Sequence, residues 1–241
     1  MKHIPFCIFI ILFALFGNML SAQESQTAPL VEDYDYLSDA KIDAVIFRGP
    51  IYVKYPYRFD GTFYAYSDEF LESRINYNGK EFKGVKLNLN ADRDELYVQM
   101  YGAGMIIVLE KDYVKDFSLG ERNFINHTEG DGIEGLEYGY YELLYKGKDM
   151  LLKKIKQNFN EKFDNVGSAT LKSFYPAYTY YVVKDGKAVT LKGRSAFAKI
   201  YKPYKVQING FIKERRLKFA GKEANDKVFT LIMEYIDTKQ Q

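Results

Sequence analysis

Beyond the first few residues the chain has one histidine, His127, and it is the first place to look for chemistry. Nucleophilic catalysis needs an imidazole, a carboxylate that orients it and a nucleophile that it activates. Glu129 and Asp131 are near in sequence, but no Gly-x-Ser-x-Gly elbow occurs anywhere. A zinc site needs several nitrogen or sulfur ligands, and the only cysteine, Cys7, sits in an apolar N-terminal run. His127 is therefore expected to be a solvated loop histidine, and no metal is expected. Asn88, Asn90, Asp92 and Asp94 put oxygen side chains at every second position, as a calcium loop begins. The calcium motif then needs glycine at its sixth position and glutamate at its twelfth, where this chain has Arg93 and Gln99. A polar strand face running into a turn is the simpler account. Ser38-Asp39-Ala40-Lys41 matches Ser-x-x-Lys without its companion motifs, and no phosphate-cradling glycine loop is present. No catalytic residue is assigned, and no cofactor is expected.

Two features are less ordinary. Residues 192–222 carry ten basic groups against the single acid Glu214, whereas residues 123–144 carry Glu129, Asp131, Glu134, Glu137 and Glu142 with no basic residue. The whole chain is nearly balanced at +2, so this is segregation of charge and not excess. Such faces are often merely solvated, or pair with each other. The alternative is a basic face, with Lys202, Lys205, Lys213, Arg215, Arg216 and Lys218 meeting an anionic envelope component or an envelope protein. The second feature is the run Ile51 to Tyr66, with Tyr55, Tyr57, Phe59 and Tyr64 among its rings. Buried, these rings are strand core; exposed, they stack on sugars or line a partner interface. Nucleic acid is not an expected partner.

These groups must be held by a scaffold, and its outline is legible. Lys2 and His3 followed by the apolar run Ile4 to Phe16 and the small residues Ser21-Ala22 have signal-peptide anatomy, so export to the periplasm or the exterior is expected, with cleavage before Gln23. Residues 23–40 form an acidic leader, expected to be flexible. Residues 41–192 are rich in tyrosine and β-branched residues with frequent glycine turns, the pattern of an antiparallel sheet. Ile42–Phe47 reads as its first strand, and Met105–Leu109, apolar on both faces, as a central one. Asn78-Gly79 and Asp185-Gly186 are expected hairpin turns, and Lys146–Asp149 joins a third pair. Residues 193–241 change to helical periodicity. Tyr204, Ile208, Phe211 and Ile212 share one helical face; Val228, Leu231, Ile232, Tyr235 and Ile236 share another after an Asn225 cap. The expected fold is a β-rich α+β domain, an antiparallel meander shaped as a sandwich or half-barrel, capped by C-terminal helices that form one domain with the sheet. After the signal no apolar stretch is long enough to cross a membrane as a helix.

The signal end Leu20-Ser21-Ala22-Gln23, the hairpin INYNGKEF at 75–82, the block LEYGYYELLYKGK at 136–148 and the two C-terminal helices resemble uncharacterised exported proteins of the Bacteroidota type. That resemblance implies no reaction and no catalytic residues. Three function classes follow from the sequence: a non-enzymatic envelope protein that binds or assembles a partner, which is favoured; a hydrolase of glycan or peptide using a carboxylate pair; and an outer-membrane barrel, against which the helical, polar C-terminus speaks.

Overall fold

A computed structural model describes residues 45–100, 102, 104–163, 170–219 and 225–240. The segments expected to be a signal peptide (1–22) and a flexible acidic leader (23–40) lie outside the described residues. Ten strands form one antiparallel sheet: β1 (Leu71–Tyr77), β2 (Lys80–Asn90), β3 (Glu95–Gln99), β4 (Ile106–Val108), β5 (Val114–Leu119), β6 (Arg122–His127), β7 (Gly139–Lys146), β8 (Met150–Phe163), β9 (Thr170–Lys184) and β10 (Lys187–Leu191). Their order is β10-β9-β8-β7-β6-β5-β1-β2-β3-β4. Two meanders, β1 to β4 and β5 to β10, are therefore joined where β1 pairs with β5 at Ile75↔Phe117 and Asn76↔Asp116. Three helices follow: α1 (Arg194–Ile200), α2 (Lys205–Glu214) and α3 (Asp226–Gln240). None of the described helices is long and apolar enough to cross a membrane.

The hairpin turns form where glycine chemistry requires them. Asn78 and Gly79 take φ of 49° and 75°, and Asp185 and Gly186 take 51° and 76°. Positive φ at both central residues gives a turn whose twist matches that of the strands it joins. Two expectations differ. Val45–Phe47 is a short 3-10 turn, not a strand. β4 lies at the end of the sheet and not in its centre. Its apolar character is explained by packing on both faces, Ile107 and Leu109 in the sheet core and Ile106 and Val108 against the aromatic cluster of Phe63 and Tyr97, while Pro50 and Tyr52 bond its outer edge through Val108 N and Ile106 O.

The sheet curls strongly. The turn after β2 reaches β8, where Gln157 N donates to Ala91 O at 3.1 Å and Lys154 Nζ meets Asp94 at 2.7 Å. Inside the curl, Ile75, Phe82, Leu87, Leu96, Phe117, Phe124 and Ile155 form one buried cluster. A second cluster packs the helices on the sheet: Leu151, Val182, Phe197, Ile208, Ile212, Phe229, Ile232 and Ile236. On α2, Ile208 and Ile212 are buried as the periodicity predicts. On α3 the buried residues are Phe229, Ile232, Met233 and Ile236, while Leu231 is 43% exposed and Tyr235 half-buried. The expected stripe is thus rotated. Asp226, at the start of α3, bonds to Lys153 and Tyr180 in the sheet. That anchor turns Phe229 and Met233, three and seven residues on, toward the sheet.

Candidate functional site

The six predicted basic residues Lys202, Lys205, Lys213, Arg215, Arg216 and Lys218 are all exposed. They sit in a 3-10 turn at Lys202–Tyr204, on α2, and just after it, because Ile208 and Ile212 occupy the core side of that helix. None of the ion pairs among the described residues includes any of them. Arg215 lies 5.9 Å from the Phe211 ring, its nearest aromatic support. The acidic segment does not balance this face. Glu134 pairs with Lys187 at 2.8 Å, Asp131 accepts from Thr128 N at 2.6 Å, and Glu142 is buried.

The aromatic run is neither a strand nor an open platform. It crosses the fold as irregular chain with single bridges at Ile51↔Ile107, Asp60↔Ser173 and Tyr64↔Asn90. Tyr64 is buried; Tyr55, Tyr57 and Phe59 are half-buried. Their rings pack on one another and on the sheet, Tyr55 against Phe63 at 4.8 Å, Phe59 against Phe174 at 5.0 Å and Tyr57 against Phe159 at 5.4 Å. Tyr55 O–H donates to Asp92 at 2.6 Å, and burial together with that bond pushes its hydroxyl pKa up. The alternating Asn and Asp residues also serve the fold. Asn88 Nδ2 donates to Ser67 O and Glu69 O, Asn90 Nδ2 to the Tyr97 hydroxyl, and Asp94 receives Lys111 and Lys154.

His127 is not a solvated loop residue. It ends β6 at 3% exposure, on the opposite face from Phe124 and Asn126, with its ring 5.6 Å from that of Tyr138. Its Nδ1 lies 3.6 Å from Asp131. It faces a cavity of about 630 Å³ bordered by Glu129, Glu134 and Glu137. Among the described residues no three His, Cys, Asp or Glu groups converge as a metal site would require.

The sequence reading missed a buried polar network on the sheet. Glu142, Lys153 and Tyr180 lie directly opposite one another across β7, β8 and β9. Lys153 is 1% exposed; its Nζ bonds Glu142 at 2.8 Å and Asp226 at 2.6 Å. Arg122 closes the group on Glu142 at 2.9 Å, with its guanidinium 4.1 Å from the Tyr66 ring. Tyr66 O–H also donates to Glu142, and Tyr180 O–H to Asp226 at 2.7 Å. Burial first, then the neighbouring carboxylates, hold both phenols far above their usual pKa. Two cations face two carboxylates, so the seam is neutral. It separates the Leu151–Val182 row of the helical cluster from the Ile155–Tyr178 row at the edge of the sheet cluster. A charged residue alternating with Leu151 and Ile155 on β8 was the available sign.

Beside this seam a cavity of about 740 Å³ opens between β9 and the helices. Leu191, Phe219 and Phe229 wall it, Tyr175 and Tyr178 lie along β9, and Lys192 stands at its side. That volume falls in the range of small-ligand pockets, roughly 300–1,000 Å³. Asn225 N donates to the Tyr180 hydroxyl at 2.7 Å, so this phenol is already engaged at the cavity wall. No protein-family model, curated protein or solved structure matches the chain.

Proposed function

We propose that this is an exported envelope protein that binds or helps assemble an anionic partner and does not catalyse a reaction. The observation that carries this reading is the basic end of the helical layer, where six exposed cations have no counter-ion among the described residues. Like charges crowded on one short helix and its flanks repel one another, and an anionic partner relieves that repulsion. The hydrolase reading gains no support from Glu142 and Asp226. These carboxylates approach the same ammonium and act as its counter-ions, not as an acid and a base with room for a water.

The test is association of the full chain with vesicles of anionic or neutral lipid and with soluble polyglutamate, at low and high salt. Exposed charges are screened over about 8 Å at physiological ionic strength, so binding through this face weakens as salt rises. Combining Lys205→Glu, Lys213→Glu and Arg216→Glu abolishes it. Association that ignores both salt and charge reversal overturns the reading.

A further inference from the structure

β9 is fifteen residues long, but β10 covers only its final part, from Lys184↔Lys187 to Tyr180↔Leu191. Nearer its start the same edge is held by Asp60, whose N–H donates to Lys172 O and whose carbonyl accepts from Phe174 N, both at 2.9 Å. Between these two pairings, Tyr175–Thr179 has no strand along that edge among the described residues. Hydrogen-bonding direction alternates along an antiparallel strand. Residues in step with Lys172 and Phe174 therefore point their backbone groups away from β8, and in the gap these are Pro176 and Tyr178. Proline has no N–H to leave unpaired, which suits an open edge. What remains is the Tyr178 N–H and two carbonyls, facing the cavity walled by Leu191, Phe219 and Phe229.

We propose that this gap is a docking slot for an extended acidic peptide, which adds to β9 as a short strand between Asp60 and β10. The inference rests on the anionic-partner reading and names the partner's chemistry. An extended peptide supplies the N–H and C=O groups that the edge lacks, and alternate side chains enter an adjacent pocket. Leu191, Phe219 and Phe229 give this mixed pocket one apolar wall, and the peptide side chains that meet that wall are apolar. The outward ones meet positive charge. Lys192 borders the cavity, the exposed Lys218 precedes the wall residue Phe219, and both belong to the strongly basic segment 192–222. The gap is closed at both ends, so it admits a few residues and not a long strand.

The ligand to use is a short end-blocked peptide, Asp-Val-Asp-Val-Asp, titrated calorimetrically into the full chain. It is expected to bind saturably and to protect the Tyr178 amide from hydrogen exchange. N-methylation of one residue at a time, aspartate or valine, keeps charge but removes a backbone donor, so the methylated forms that lose a bond to the edge bind up to about tenfold more weakly. Lys192→Glu weakens binding several-fold, and replacing the peptide's aspartates by lysines removes it. The slot is excluded if every N-methylated peptide binds as tightly as the parent, or if the Tyr178 amide exchanges freely in the saturated complex. Vesicle or polyglutamate binding without peptide binding also excludes the slot and leaves the basic-face reading intact. Peptide binding with backbone discrimination, but no polyanion binding to α2, establishes the slot and rejects the wider reading.

Discussion

The seam at Glu142, Lys153, Asp226 and Arg122 and the basic face of α2 use the same kinds of side chain in opposite ways. In the seam, each ammonium or guanidinium has a carboxylate within 3 Å and a tyrosine ring or hydroxyl beside it. On α2 and its flanks, Lys202, Lys205, Lys213, Arg215, Arg216 and Lys218 are exposed, and none of the described ion pairs includes them. A buried charge is tolerated only when paired and hydrogen-bonded, so the seam is a property of the fold. An exposed charge costs the fold little, so the basic face is free to serve something else. The difference is sharpest under mutation. Lys153→Met leaves Glu142 and Asp226 facing each other without their shared ammonium, and should cost about 3–5 kcal/mol in denaturant unfolding. Adding Glu142→Gln should recover part of that loss. A loss from Lys153→Met below about 1 kcal/mol would break the contrast and reopen the seam as a place for chemistry.

The helical layer gives the next largest effect. Ile232 is fully buried on α3 and Leu231, its neighbour in sequence, is exposed. Ile232→Ala should therefore cost about 2–5 kcal/mol, whereas Leu231→Ala should stay within about 0.5 kcal/mol. Equal losses would mean that α3 is rotated relative to the seam, and that Asp226 does not set its orientation.

Buried phenols extend the contrast to pH. Tyr66, Tyr97, Tyr140, Tyr141, Tyr180 and Tyr201 all have pKa values raised above the ordinary one near 10, with burial as the first cause. The unfolded chain ionises near pH 10 and the folded one does so only higher. Above about pH 10 the native state therefore binds more protons, and stability falls as pH rises. Each fully buried phenol contributes a slope of about 1.4 kcal/mol per pH unit there and nothing at neutral pH. Alkaline unfolding followed by circular dichroism and by tyrosinate absorbance should show both signals changing together. Tyrosines that ionise without unfolding would show that their burial is not maintained.

Local patterns carried much of the architecture in the sequence. Asn78-Gly79 and Asp185-Gly186 need positive φ at both central residues, so the dipeptide itself reports the turn. Ile208 and Ile212 report the α2 face through their spacing. The β5–β6 hairpin was not legible, because Val114, Phe117 and Leu119 alternate imperfectly and Gly120-Glu121 is a weak turn signal. The β1–β5 pairing joins segments separated by three strands, and no local pattern encodes it. The seam escaped for a related reason. Glu142, Lys153, Tyr180 and Asp226 come from four elements, and their meeting depends on register. Tyr55, Tyr57, Phe59 and Tyr64 show the converse. Their composition announces aromatic packing, but only the fold shows irregular chain wrapped on the sheet and not a strand.

The smallest expected stability effect is also the one that separates fold from partner. α2 has no acid in its first turn, Lys205 begins it, and Lys213 lies in its last turn. A helix N-terminus carries partial positive charge and its C-terminus partial negative charge, each worth about 0.3–1 kcal/mol to a suitably placed side chain. Lys205 is therefore misplaced for the helix and Lys213 well placed. Lys205→Glu should raise stability by a few tenths of a kcal/mol, and Lys213→Glu should lower it by a similar amount, both read by chemical denaturation at low salt. Binding of an anionic partner should fall for both substitutions, whatever the sign of the stability change. A lysine that weakens its own helix but strengthens association is placed for the partner. If Lys205→Glu stabilises the chain and leaves association with polyglutamate and anionic vesicles unchanged, the face is only solvated charge, and the contrast with the seam carries no function.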